Sequence, residues 1–345
     1  VSEGSYGWAL GTFFLAAALT SVAGGRLAQR LGPRRQLSYG LVGAAAVQLS
    51  IAFVVPSFGW MLVALALAGV VNSGVQTAVN LALSQAELPR LGLAVATKQS
   101  AMPAAAMLGG LAVPAVALTL GWRWAYAMGA LVGLVGFACV RAFIIDRPIT
   151  AASKVSVVES TSRALAAATA VSMLFAFSSG AINAWTVSSG VDAGLSEGAA
   201  GLFLGLAAGM GILFRLAAGA RVDASKAPPF RMAAQLYLIG IVGFVLLSAR
   251  VAPLHAGATV LAFAGGWIWP VFTNFAIVNA NPRSAGAATG MTQMGVYVGV
   301  FSAPVITGGI IDRWGYQTMW LVVAGVAMCA AAIAVAVSPS FPRTG

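Results

Sequence analysis

Eleven apolar runs dominate the chain, at residues 7–25, 36–55, 59–83, 93–120, 123–145, 162–182, 200–218, 231–249, 253–279, 286–311 and 316–338. A helix that crosses a hydrocarbon core of about 30 Å needs roughly 17 to 25 such residues. In lipid every backbone donor and acceptor must be satisfied internally, so only helices and closed barrels can span. Barrel strands would alternate apolar and polar over about ten residues, and these runs do not. The chain is therefore read as an all-α membrane protein. Composition agrees: 60% of residues are hydrophobic and only 8% charged, where a soluble domain carries about a quarter charged.

The net charge of +11 would in a soluble protein point to nucleic acid. Here the basic residues fall between apolar runs and form no stripe with interleaved aromatics, so no nucleic-acid partner is expected. Sixteen of the nineteen collect on one side of the threaded chain, leaving Arg123, Arg250 and Arg313 on the other. Cytoplasmic connections carry the excess of Lys and Arg. The expectation is a multi-pass protein of the plasma membrane with residue 1 extracellular and the C-terminus cytoplasmic.

Chemistry is sparse. Cys139, Cys329 and the lone His255 fit no metal-ligand spacing, and no GxxxxGK[ST] phosphate loop occurs. The spans hold neither a carboxylate pair nor a Ser-His arrangement. No metal, no cofactor and no enzymatic activity are expected.

Sliding the sequence on itself by 194 residues superimposes the first apolar run on the seventh. Gly4, Gly7, Gly11 and Gly25 meet Gly198, Gly201, Gly205 and Gly219 without gaps. The same shift pairs Asn80 with Asn274, Gly92 with Gly286, Gln99 with Gln293 and Gly121 with Gly315. Parallel helix-bundle repeats are one known way of building transporters. The run at 162–182 would then need a partner ahead of Val1, so eleven of twelve helices are expected here. The division is a first half-bundle at 1–145, a cytoplasmic linker at 146–161 rich in Pro, Ser, Thr and charge, and a second half-bundle at 162–345.

After the first run stands Gly25-Arg26-Leu27-Ala28-Gln29-Arg30-Leu31-Gly32-Pro33-Arg34-Arg35. This resembles the signature loop between helices 2 and 3 of the major facilitator superfamily, Gly-x-x-x-Asp-Arg-x-Gly-Arg-Arg with small variations. With the repeat and the central linker, the resemblance covers the whole chain. It implies two six-helix halves that rock about a central site. It also implies that Gly25, Gln29, Arg30, Gly32, Arg34 and Arg35, with Gly219 and Asp223 in the second half, form a conformational switch. Gly25 allows close helix approach, Gly32 a tight turn, and the arginines hold the loop at an anionic surface. The family usually has Asp where this chain has Gln29, so a weaker latch is expected in the first half. The Gly-Pro stretch linked to antiporters is only approximated, by Gly109-Gly110 and Pro114 in the wrong order, and gives no direction of transport.

Polar residues inside the spans mark the candidate path. Asn72, Gln76, Asn80 and Ser84 recur every four residues, one stripe on an otherwise apolar helix. Thr289, Gln293 and Tyr297 repeat the pattern, joined by Trp267, Trp269 and Asn274 and by Asn183 and Trp185. Each has an alternative as interhelical hydrogen-bonding glue. Lys98, followed by Gln99, lies about five residues into its span, where it either snorkels to the surface or binds an anion. Arg215 is expected to snorkel or to pair with Asp223. No Asp or Glu lies deep in any span, so proton coupling through a carboxylate would need the missing helix.

The reading is a secondary transporter that moves a small, uncharged or monoanionic organic solute by alternating access, as a monomer in the bilayer, with protons one candidate coupling ion. A drug or metabolite efflux antiporter and a transport-incompetent truncated or sensor protein are the alternatives.

Overall fold

The computed structural model describes residues 3–86, 88–112, 116–117, 119–144 and 160–341. These residues form helices α1 (Glu3–Leu31), α2 (Pro33–Phe53), α3 (Phe58–Gln85), α4 (Leu91–Ala112), α5 (Trp122–Phe143), α6 (Ser162–Asp192), α7 (Glu197–Ala224), α8 (Pro229–Leu247), α9 (Ala252–Gly266), α10 (Trp269–Ala280) and α11 (Ala285–Val337). Among the described residues nine helical segments are long and apolar enough to cross a bilayer. Most of the proposed linker, together with Glu87, Asp146, Glu159 and Pro114, lies outside the described residues.

Local chemistry explains the boundaries. Ser196 and Thr161 each accept a hydrogen bond from the backbone N–H three residues on, at 3.3 and 3.2 Å, and so cap α7 and α6. Proline opens α2, α8, α9 and α10, where its missing N–H has no intrahelical partner to lose. Arg123 Nη1 donates to Ala52 O at 3.0 Å, and Arg34 Nη2 to Arg141 O at 2.9 Å, satisfying the last carbonyls of α2 and α5.

Two expectations need correction. The Gly25–Arg35 segment is not a loop: α1 runs on to Leu31 and α2 starts at Pro33, leaving only Gly32, at φ 80°, outside a helix. Once clear of the apolar core the chain keeps bonding its own backbone until a left-handed glycine followed by proline stops it. The apolar run at 253–279 is two helices rather than one, broken at Trp267–Ile268. Pro270 cannot donate to Gly266 O, and that carbonyl accepts the Ser179 hydroxyl at 2.7 Å instead. The runs at 286–311 and 316–338 are two helices, as expected, divided by a kink at Gly315 (φ 75°) within the continuous stretch α11.

The 194-residue shift reappears in the elements. It carries Glu3–Leu31 onto Glu197–Ala224, Trp122–Phe143 onto the part of α11 that ends at Val337, and Gly121, at φ 99°, onto Gly315. It also carries α3 onto the broken pair α9–α10, so the break is a departure from the repeat.

Small residues set the packing. Gly24 of α1 lies against Gly74 of α3, Gly240 of α8 against Gly265 and Gly266 of α9, and Gly295 and Gly299 of α11 against the backbone of Thr169 and Met173 in α6. In lipid such close backbone approach replaces the hydrophobic effect as the force between helices. The largest buried cluster joins α6, α8, α9, α10 and the end of α11 around Phe175, Tyr237, Phe244, Trp269 and Trp320. A second lies between α1, α2, α3 and α5 and includes Val278 and Ala285.

Candidate functional site

Glycines bring α1 against α11 and α4 against α7 at the arginine-rich end. A Cβ on Gly25 would strike Gly286 O, and a Cβ on Gly219 would sit 2.7 Å from Gly92 O and 2.5 Å from Ala96 Cβ. Under the shift, Gly25 corresponds to Gly219 and Gly286 to Gly92. The two contacts are one contact made twice, related by a pseudo-two-fold axis between them.

Beside each glycine pair stands a polar cap. Both carboxylate oxygens of Asp223, on α7, accept backbone N–H groups at the start of α4, from Gly92 at 2.7 Å and Leu93 at 2.9 Å. The positive end of the α4 dipole faces that negative charge. Gln29 occupies the equivalent place on α1. With its amide oriented as its neighbours require, its oxygen accepts from Gly286 N at 3.1 Å and Ala285 N at 3.3 Å, and its nitrogen donates to Arg283 O at 3.2 Å. A neutral amide therefore caps α11 where a carboxylate caps α4. Ser21 Oγ adds a bond to Gly290 O at 2.8 Å. Arg26, Arg30 and Arg35 are exposed around this end.

Deeper in, the two residues that the repeat makes equivalent meet each other: Asn80 Nδ2 donates to Asn274 Oδ1 at 3.4 Å. Residues related by a two-fold axis touch only where the axis passes, so this pair marks its position. Asn274 Nδ2 donates to Pro270 O at 2.9 Å, and Gln99 Nε2 reaches the same carbonyl at 3.4 Å.

Arg215 neither snorkels nor pairs with Asp223. It is 3% exposed, its Nε and Nη2 donate to Trp267 O at 3.2 and 3.1 Å, and its Nη1 donates to Gln99 O at 3.1 Å. Its guanidinium carbon lies 5.4 Å from the Trp267 ring centre. The broken helix explains this. Its interruption leaves the Trp267 carbonyl turned away from a helical partner, and a buried arginine with a planar fork satisfies it. Asn80, Asn274, Gln99, Trp267 and Arg215 thus form one buried group at the junction of α3, α4, α7 and the α9–α10 break. The Trp-Ile-Trp-Pro run was the signal for the break, since an internal proline frees a carbonyl four residues back.

The other candidates are placed elsewhere. Asn72 Nδ2 donates to the Tyr297 hydroxyl at 2.9 Å, joining α3 to α11 further along. Trp185 Nε1 donates to Thr307 Oγ1 at 2.7 Å, and Asn183 is exposed on α6. Gln76 is half-buried and Gln293 buried. Trp269 is 1% exposed and donates to Ser179 Oγ, within the largest buried cluster. Lys98 Nζ is buried without a hydrogen-bond partner.

Comparison with known proteins gives a consistent assignment. The family model described as Major Facilitator Superfamily matches residues 1–256. No curated protein matches the chain. Among solved structures, the human organic anion transporter MFSD10 (TETRAN) is similar at a TM-score of 0.79 and 16% identity, over 97% of this chain and 86% of that one. The proton:xylose symporter XylE, bound to 6-bromo-6-deoxy-D-glucose, is similar at a TM-score of 0.76 and 14% identity, over 96% of this chain and 86% of that one. At such identities the likeness is one of fold.

Proposed function

Since the chain belongs to the major facilitator superfamily of membrane transporters, we propose that it moves a small organic solute by alternating access, with residues 1–145 and 162–345 rocking as two halves about the Asn80–Asn274 axis. The observation that carries this reading is the doubled closure at one end, Gly25 on Gly286 and Gly219 on Gly92, which ties each half to the other by the same contact. A rotation about the axis would open both together. In this reading the excess of arginine makes this end cytoplasmic, with residue 1 extracellular.

In this reading Asn80, Asn274, Gln99, Lys98 and Trp267 contribute to the central site. Asn72, Gln76, Gln293, Tyr297, Asn183 and Trp185 line the approach to it. Gly25, Gln29, Arg30, Gly32, Arg34, Arg35, Gly219 and Asp223 govern closure. The protein acts as a monomer in the plasma membrane and does no covalent chemistry. A gradient drives it, with protons the candidate coupling ion by analogy with XylE.

The test is a reversible lock. Ala28 Cβ lies 3.3 Å from where a Cβ on Gly286 would stand, close to the separation a disulfide bridges. In proteoliposomes carrying Ala28→Cys with Gly286→Cys, uptake would be measured for monocarboxylates, sugars and lipophilic cations. At least one should be carried, and its flux should stop on oxidation and return on reduction. No flux of any solute with insertion intact, or flux indifferent to the cross-link, would overturn the reading.

A further inference from the structure

Lys98 and Trp267 present buried hydrogen-bond donors that the protein leaves unused. Lys98 Nζ and Trp267 Nε1 are buried atoms with no hydrogen-bond partner. Lys98 stands three residues after Val95, which is fully buried, and seven after Leu91, which packs on both buried clusters. That spacing places all three on one helical face. A snorkelling lysine would expose its ammonium group, and this one does not.

Charge is unbalanced around the adjoining Gln99 carbonyl as well. Among the described residues the buried charged side chains include Arg215 but no Asp or Glu. Arg215 is hydrogen-bonded to two neutral carbonyls and faces the Trp267 ring. Its partner carbonyl at Gln99 belongs to the residue next to Lys98. A buried ammonium with neither counter-charge nor acceptor is costly, and it persists where a ligand supplies the acceptor.

We infer that the solute carries a carboxylate, a single negative charge on an organic body, and that its oxygens accept from Lys98 Nζ and Trp267 Nε1. The inference rests on the transport reading above and names the substrate class for that site. Arg215 is a positioning residue here: it fixes the Trp267 ring and the α4 backbone beside Lys98, and its own donors stay on the two carbonyls. Closure of the site around the anion removes water from the pair and strengthens both bonds.

The experiment uses the full chain purified in detergent, in low-chloride buffer. Thermal unfolding is followed with monocarboxylates from acetate to benzoate, with the neutral amide of each, with benzylamine, and with chloride titrated alone. At least one monocarboxylate should raise the midpoint while its amide and benzylamine do not. Lys98→Gln should weaken that response by about 30-fold or more, the loss expected when one partner of a buried charged pair is removed. Lys98→Arg should retain part of it, and Trp267→Phe should weaken it several-fold. Without ligand, Lys98→Gln should melt no lower than the parent, because an uncompensated buried charge has gone; misfolding would move it the other way. Amides matching their acids, a response to chloride alone, no response to any carboxylate, or an intact response in Lys98→Gln would each overturn the inference. The reversible lock separates the two readings, since locked flux of a sugar or a cation would leave transport standing and remove only the anion.

Discussion

Replacing Gln29 by Asp should shift the protein toward the state whose arginine-rich end is closed. Asp223 shows that an aspartate at this place is long enough, since it reaches the equivalent amides at 2.7 and 2.9 Å. A carboxylate near a partly buried helix N-terminus gains up to about 2 kcal/mol over a neutral group. Against this, the substitution removes the Gln29 bond to Arg283 O, worth about 1 kcal/mol. The net is about 1 kcal/mol, or a change of about fivefold in the ratio of the two access states. Because Gln29 is 8% exposed, salt should screen the effect only weakly. The assay is the labelling rate of a cysteine at the exposed position 183 by a membrane-impermeant maleimide, after replacing the two exposed native cysteines, Cys139 and Cys329, by Ala. Gln29→Asp should label fastest and Gln29→Ala slowest, with the parent between them. Equal rates in all three would refute the argument that these caps hold the closed end together.

Two further outcomes follow from the same contacts. Gly219→Val would drive a side chain into Ala96 and Gly92 O, an overpacking worth about 1–3 kcal/mol against the closed end; labelling at position 183 should fall by about five- to a hundredfold, while Gly205→Val, where nothing lies within 4 Å, should leave it unchanged. Arg215→Gln would strip the acceptors at Trp267 O and Gln99 O of their donors and should destabilise the fold by about 3 kcal/mol, read as a lower thermal midpoint, with Arg215→Lys giving little rescue because an ammonium cannot span both carbonyls.

Much of this protein was written along the chain, because lipid leaves a polypeptide few choices. Long apolar runs must be helices, and repetition at a fixed offset must put equivalent residues at equivalent places. Asn80 and Asn274, Gly25 and Gly219, and Gln29 and Asp223 were legible for that reason. Pairing at a distance was not legible. No periodicity says that Asn80 would touch its own counterpart, or that Gln29, departing from the family's aspartate, would still cap a helix in the opposite half.

The least legible feature was the α9–α10 break and what it does to Arg215. Near a span end an arginine ordinarily snorkels, and one-dimensional reasoning favours that outcome. Only the folded chain sets a freed carbonyl of another helix within 3.1–3.2 Å of the guanidinium. Local chemistry and the bilayer determined which segments are helices and how they repeat. Tertiary packing decided which buried polar groups find partners, because a hydrogen bond depends on where two distant helices cross. The same packing left Lys98 and Trp267 as donors without acceptors.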